Sequence, residues 1–216
     1  GLDWALNPYR GCQHGCVYCY SPDVLRMKEQ DDWGSFVEVR KNLPVLLARE
    51  KKSKKGVVGL GTVTDPYQPA EEKTLLTRYC LEQLVKSNCS VCIQTKSDLV
   101  IRDLDILKKM KNLEVGMTIT TMDAALAAQL EPSAPAPERR AAALKTLSDA
   151  GIKTWVFLGP VIPRLNDSSE MLGEVIKAAK DSGARKLIYD KLRLKPLLQE
   201  RLKKRYGYSQ SRDFFK

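Results

Sequence analysis

From Val57 onward, short apolar and β-branched runs alternate with stretches whose apolar residues recur at helical spacing. Residues 57–62 form one such run and end in a Thr-Asp-Pro turn. Residues 72–86 then place Leu75, Leu76, Tyr79, Leu81, Leu84 and Val85 at helical spacing. The pattern predicts strands at 91–95, 113–119, 153–158 and 186–189. Helices are predicted at 104–111, 123–130, 138–150, 168–182 and 195–206, with Gly151 closing the third as a C-terminal cap. A further strand is expected near Trp4 to Pro8. Strand and helix alternating at this pitch give an α/β fold with a parallel sheet. Six βα units are too few for a closed eightfold barrel, so the fold class expected is a partial, TIM-like (β/α)6 barrel. Active residues of such folds lie at the C-terminal ends of the strands, where Asp65, Lys96, Thr118 and Pro160 fall.

At 216 residues, 43% of them apolar, the chain has enough material for one sizeable core. We expect residues 1–190 to form the core domain and residues 191–216 a basic C-terminal helix and tail. No run of 18 apolar residues occurs, which argues against a membrane partner. The N-terminal residues lack a signal-peptide pattern, Gly1 in place of Met points to a trimmed or tagged chain, and the cysteine usage fits a reducing cytoplasm. The net charge of +10 is uneven: nine Lys or Arg against Glu200 and Asp213 place +7 on residues 191–216. Lys51, Lys52, Lys54 and Lys55 form a second basic run between a helix and a strand. Two accounts compete, a solvated surface and a footprint for nucleic acid or another polyanion.

Three cysteines lie within eight residues, Cys12-Gln-His-Gly-Cys16-Val-Tyr-Cys19, with Gly11 and Gly15 free to turn the backbone tightly. A structural zinc wants four ligands, and His14 lies too close to Cys12 and Cys16 to complete a tetrahedron comfortably. Three thiolates on a [4Fe–4S] cluster leave one iron open for a chelating substrate. Zinc and chance clustering are the weaker alternatives.

The spacing C-x3-C-x2-C, with Tyr18 before the last cysteine, resembles the signature of the radical S-adenosylmethionine (SAM) superfamily. The string Asn7-Pro8-Tyr9-Arg10-Gly11-Cys12 through Cys19-Tyr20 is similar to the branch typified by spore photoproduct lyase and the DNA repair photolyase-like proteins. So are the segments Thr64 to Glu71, Thr95-Lys96-Ser97 with Arg102-Asp103, Leu130-Glu131-Pro132, and Pro163 to Asp167. The resemblance covers residues 7 to 167.

It implies a [4Fe–4S] cluster on Cys12, Cys16 and Cys19, with SAM held at the strand ends by Thr64, Asp65, Lys96 and Thr118. The residue types suit those tasks: Asp65 for the SAM ammonium or a ribose hydroxyl, Lys96 for the carboxylate, Thr64 and Thr118 for ribose or carboxylate, and Tyr18 as an aromatic surface for adenine. The implied reaction is reductive cleavage of SAM, by an electron from a flavodoxin- or ferredoxin-type partner, to a 5′-deoxyadenosyl radical that takes hydrogen from a substrate. Nucleic acid is one candidate substrate, a peptide or small molecule another, and a zinc-structured binding module lies outside enzymes altogether. One departure from the branch stands out. Spore photoproduct lyase carries a hydrogen-donating cysteine just ahead of its Ser/Thr-Asp pair, whereas this chain reads Leu60-Gly61-Thr62-Val63-Thr64-Asp65, which argues against thymine-dimer reversal by that mechanism. Cys80, Cys89 and Cys92 are expected to pack in the core, with a second cluster as the lesser alternative.

Overall fold

The computed structural model describes residues 1–27, 33–50 and 55–206. Strands β1 (Trp4–Leu6), β4 (Val57–Leu60), β5 (Ser90–Thr95), β6 (Leu113–Thr118), β7 (Lys153–Val161) and β8 (Lys186–Lys191) form a six-stranded sheet in that order. Every pairing in it is parallel. Strands neighbouring in space follow one another along the chain, so the sheet winds in one direction as a barrel does. β1 and β8 remain its two edges among the described residues, which makes the barrel partial. Outside it, β2 (Tyr9–Arg10) pairs antiparallel with β3 (Glu38–Val39).

The helices are α1 (Ser21–Val24), α2 (Leu43–Glu50), α3 (Ala70–Thr74), α4 (Leu76–Leu84), α5 (Leu104–Leu107), α6 (Ala124–Leu130), α7 (Pro137–Asp149), α8 (Ser169–Asp181) and α9 (Pro196–Tyr206). Val91 and Ile93 of β5, Val115 and Met117 of β6, and Val156 and Leu158 of β7 point to one face. There they meet Leu81 of α4, Leu144 and Leu147 of α7, and Val175 of α8. Burying each such side chain contributes roughly 1.5–3 kcal/mol. The opposite, concave face is more open: along β5 and just past its end, the buried Val91, Ile93 and Thr95 alternate with half-buried Cys92, Gln94 and Lys96.

Expected elements differ most at three places. The helix expected at 72–86 is broken into α3 and α4, because Leu75 adopts a left-handed conformation with φ 52°. The buried Glu71 carboxylate takes over the cap, accepting from Thr77 N at 2.8 Å. The helix expected at 104–111 shrinks to α5, preceded by a 3-10 turn at Asp98–Asp103 that Ser97 caps by accepting from Leu99 N at 3.2 Å. The strand expected at 153–158 runs on to Val161, where it pairs with Lys191 of β8. Lys51, Lys52 and Lys54 of the expected basic run, and the tail residues 207–216, lie outside the described residues.

Candidate active site

The cysteine loop follows β2, and three neighbouring segments hold it. Gly11 and Gly15 adopt φ of +90° and +61°. A Cβ on Gly11 would lie 2.5 Å from the Phe36 carbonyl oxygen, so no larger residue fits there without the backbone moving. The first clasp comes from the loop after β4. Thr64 Oγ1 donates to the Gly11 carbonyl at 2.6 Å, Gln68 Nε2 donates to Thr64 Oγ1 at 3.0 Å, and Gln68 Oε1 accepts from Gln13 N at 2.8 Å. The second comes from the end of α6, where Val17 N donates to the Leu130 carbonyl at 2.9 Å. There the Tyr18 hydroxyl donates to the Glu131 carboxylate. The third is α9, whose Arg201 Nη2 donates to the Cys19 carbonyl.

Cys12, Cys16 and Cys19 line one cavity of about 540 Å³ at the C-terminal ends of the strands. Tyr18, Thr64, Asp65, Lys96 and Thr118 line the same cavity, so all eight residues singled out from the sequence converge on it, and Pro160 joins them. None of the cysteines is in a disulfide. Burial pushes the Cys16 thiol up to about 12 and the Cys12 thiol well above its ordinary value, and the nearby Asp65 and sister cysteines add to the second shift. Among the described residues, no three His, Cys, Asp or Glu side chains converge as a site for a single metal ion.

The five polar residues do different work. Lys96 Nζ sits 5.5 Å from the centroid of the Tyr18 ring. Burial alone would lower its pKa, but Cys16, Glu131 and Asp65 outweigh that and hold the ammonium charged, above its usual range. Thr118 Oγ1 accepts from Gln94 Nε2 at 3.3 Å, leaving its proton for another acceptor. Asp65 is committed within the protein. Its Oδ1 accepts from Thr95 Oγ1 at 2.6 Å and Tyr67 N at 2.9 Å, and its Oδ2 from Lys96 N at 2.8 Å. His14 Nδ1 lies 3.3 Å from that second oxygen. Burial raises the Asp65 pKa, but His14, Thr95 and the Lys96 amide more than reverse this and bring it to about 2. Thr64 is likewise turned inward, onto Gly11. Tyr18 is only 7% exposed, its ring under Lys96 and its hydroxyl on Glu131, which leaves it little surface to offer an adenine.

Behind Tyr18 is a charged pair that sequence reasoning did not single out. Arg140 Nη1 lies 2.5 Å from Glu131 Oε2, with both side chains at most 1% exposed. Arg140 also donates to the carbonyls of Pro135 at 2.7 Å and Thr118 at 3.2 Å. Burial opposes ionisation of Glu131, but Arg140, Lys96, Tyr18 and Thr120 together lower its pKa. Gln94, also missed, was visible in principle: it stands two residues before Lys96 and shares its face of β5 by strand alternation. The family segments at Arg102-Asp103 and Asn166 lie away from the cavity. Arg102 bridges Glu71 Oε1 at 2.7 Å and Asp103 Oδ1 at 2.8 Å. Asn166 ties the end of β7 to the Thr120 carbonyl at 2.8 Å.

Residues 6–183 match the sequence profile of the Radical SAM superfamily. The chain belongs to that superfamily. The uncharacterized protein MJ0683 of Methanocaldococcus jannaschii is 41% identical over 174 residues, 81% of this chain and 66% of its own length. Uncharacterized protein Rv2578c of Mycobacterium tuberculosis is 30% identical over 84% of this chain and 56% of its own length. The chain thus spans about 56–66% of these two relatives. Among radical SAM structures, spore photoproduct lyase with bound AdoMet and dinucleoside spore photoproduct superposes with a TM-score of 0.70 at 16% identity, over 95% of this chain and 61% of that one. SuiB of Streptococcus suis bound to S-adenosylmethionine gives 0.64 at 15%, over 89% and 41%. At such identities the likeness is one of fold.

Proposed function

We propose that Cys12, Cys16 and Cys19 hold a [4Fe–4S] cluster in this cavity and that SAM binds beside it. The observation carrying this is that three free thiols and a charged lysine share one pocket at the strand ends. The donor set fits the group: three sulfurs without a fourth ligand suit a cluster with one open iron, and thiolates on separate irons need not converge on a single ion. When bound, the cluster supplies the single electron that opens the carbon–sulfur bond of SAM to a 5′-deoxyadenosyl radical. The chain's own residues bind and orient. Lys96 pairs with the SAM carboxylate and Thr118 donates to it or to ribose. Thr64 and Asp65 act one step back, clasping the cysteine loop to β4 and β5, and Tyr18 supports Lys96 from below.

The substrate class favoured is a polyanion of the nucleic-acid type, because Lys191 and Lys195 line the same cavity together with Arg193, which is paired with Asp190 at 3.3 Å. A flavodoxin- or ferredoxin-type protein serves as the electron donor. Among the described residues no helix is long and apolar enough to cross a membrane.

The test is anaerobic reconstitution of the full chain with iron and sulfide. About four irons per chain are expected, lost on replacing Cys12, Cys16 or Cys19 by Ala. With dithionite and SAM, 5′-deoxyadenosine should be released. Lys96→Met should weaken SAM binding about ten- to a hundredfold, as loss of a charge-assisted bond worth roughly 1.5–3 kcal/mol requires. One zinc per chain, or an unchanged SAM affinity in Lys96→Met, would overturn the respective assignment.

A further inference from the structure

Helix α9 brings a half-buried arginine to the cysteine loop. Leu198 and Leu202 are buried in a small apolar cluster with Cys16, Val17, Tyr18, Leu130 and Ile162. Leu197 N donates to Asp23 Oδ1 at 3.1 Å, which ties the start of α9 to α1. From this anchored helix Arg201 reaches the Cys19 carbonyl through Nη2. Its Nε and Nη1 are also buried, and neither has a hydrogen-bond acceptor among the described residues. A guanidinium is always charged, and burying one with idle donors is unfavourable unless negative charge stands close by. Burial lowers the Arg201 pKa, and the groups whose ionised forms oppose that are Cys19, Asp23 and Cys16. Two of those three are thiols that carry charge once they ligate iron.

We infer that Arg201 is a positioning residue for the cluster, its charge stabilising the iron-bound Cys16 and Cys19 thiolates and the electron the cluster takes up. The inference rests on the cluster assignment above. In the step concerned, one electron from dithionite takes a [4Fe–4S] cluster from the 2+ to the 1+ state, with no bond made or broken. The added negative charge would be offset by the guanidinium held at the Cys19 carbonyl, so Arg201 would favour the reduced state. Helix α9 thereby becomes a wall of the cofactor site, and the basic C-terminal segment has a task apart from any docking of substrate.

Two substitutions separate charge from tethering. Arg201→Gln keeps a donor for the Cys19 carbonyl and removes the charge, while Arg201→Lys keeps the charge. Each variant of the 216-residue chain is reconstituted, its iron measured, and its midpoint potential determined by dithionite titration without SAM. Hydrogen exchange of the α9 amides is followed in both iron-free and iron-loaded protein. Arg201→Gln should shift the reduction equilibrium against the reduced state on the order of tenfold, which is about 59 mV for one electron. Arg201→Lys should stay close to the unsubstituted chain. Equal potentials in all three proteins at equal iron content would reduce Arg201 to a tether and overturn the inference. Should Arg201→Gln release α9 in the exchange experiment, the lysine variant decides: the original potential supports the charge role, and a lowered one overturns it. A chain that takes up no iron before any substitution fails the cluster assignment itself, a separate outcome.

Discussion

Cys80 and Cys89 pack in the core between sheet and helices, while Cys92 occupies the concave face of β5, beside Trp155. The first two positions match the expected core role, whereas Cys92 is half-buried and outside that core cluster. None of the three lies in a glycine-rich loop, so Cys80→Ala, Cys89→Ala and Cys92→Ala should each leave the iron content of reconstituted protein unchanged. A drop in any variant would reveal a second cluster. Asp65 has a residue-level signature of another kind. Its pKa of about 2 lies below the unfolded value near 3.9. Its contribution is therefore complete above about pH 4 and disappears as pH falls through 2, and is on the order of 2 kcal/mol. Asp65→Asn should lower stability at neutral pH by that order and flatten this part of the acid unfolding curve, measured by circular dichroism against the unsubstituted chain.

Among the elements, β6 and β7 meet at a point that admits no side chain. Gly116 pairs with Trp155, and a Cβ there would fall 2.2 Å from the indole ring. Gly116→Ala should destabilise the chain by about 1–3 kcal/mol, the usual cost of overpacking, read from urea unfolding. The segment closing α6 is held by charge. Replacing Glu131 with Gln strands Arg140 in the interior and should cost about 3–5 kcal/mol. Adding Arg140→Met should restore part of that loss, and an additive double variant would show that the two side chains are not coupled. Strand positions at this scale were legible because short apolar and β-branched runs mark strands buried on both faces. The break between α3 and α4 was not, since helical spacing continues through Leu75 and only the buried Glu71 carboxylate and the left-handed backbone interrupt it.

For the whole molecule, the unequal distribution of charge sets an expectation about partners. Lys191, Arg193 and Lys195 stand at the cavity, and the basic sequence continues through residues 203–205 to Lys216. The side chain of Tyr206 and all of Tyr208, Phe214 and Phe215, aromatics that would stack on bases, lie outside the described residues. Single-stranded RNA or DNA should bind with an affinity whose logarithm falls by roughly 0.7 per phosphate contact for each tenfold rise in salt. Removing residues 204–216 should weaken binding and reduce that slope. Equal, salt-insensitive binding by both chains would leave the basic segment as a solvated surface and direct the substrate search to peptides and metabolites.

The sequence by itself determined the parallel α/β architecture, through short apolar and β-branched runs alternating with stretches of helical period, and the three-cysteine loop, because both are patterns of near neighbours along the chain. It also indicated which strand ends would meet, since a sheet wound in one direction places them at one edge. What only the tertiary structure decided is which way each polar group turns once it arrives. Asp65 and Thr64 spend their oxygens on the protein, Lys96 lies over Tyr18, and a buried pair, Glu131 and Arg140, stands behind them. Arg201 reaches Cys19 across 182 residues of sequence. Hydrogen bonds and ion pairs of that kind depend on distances across the fold, on which spacing along the chain places no constraint.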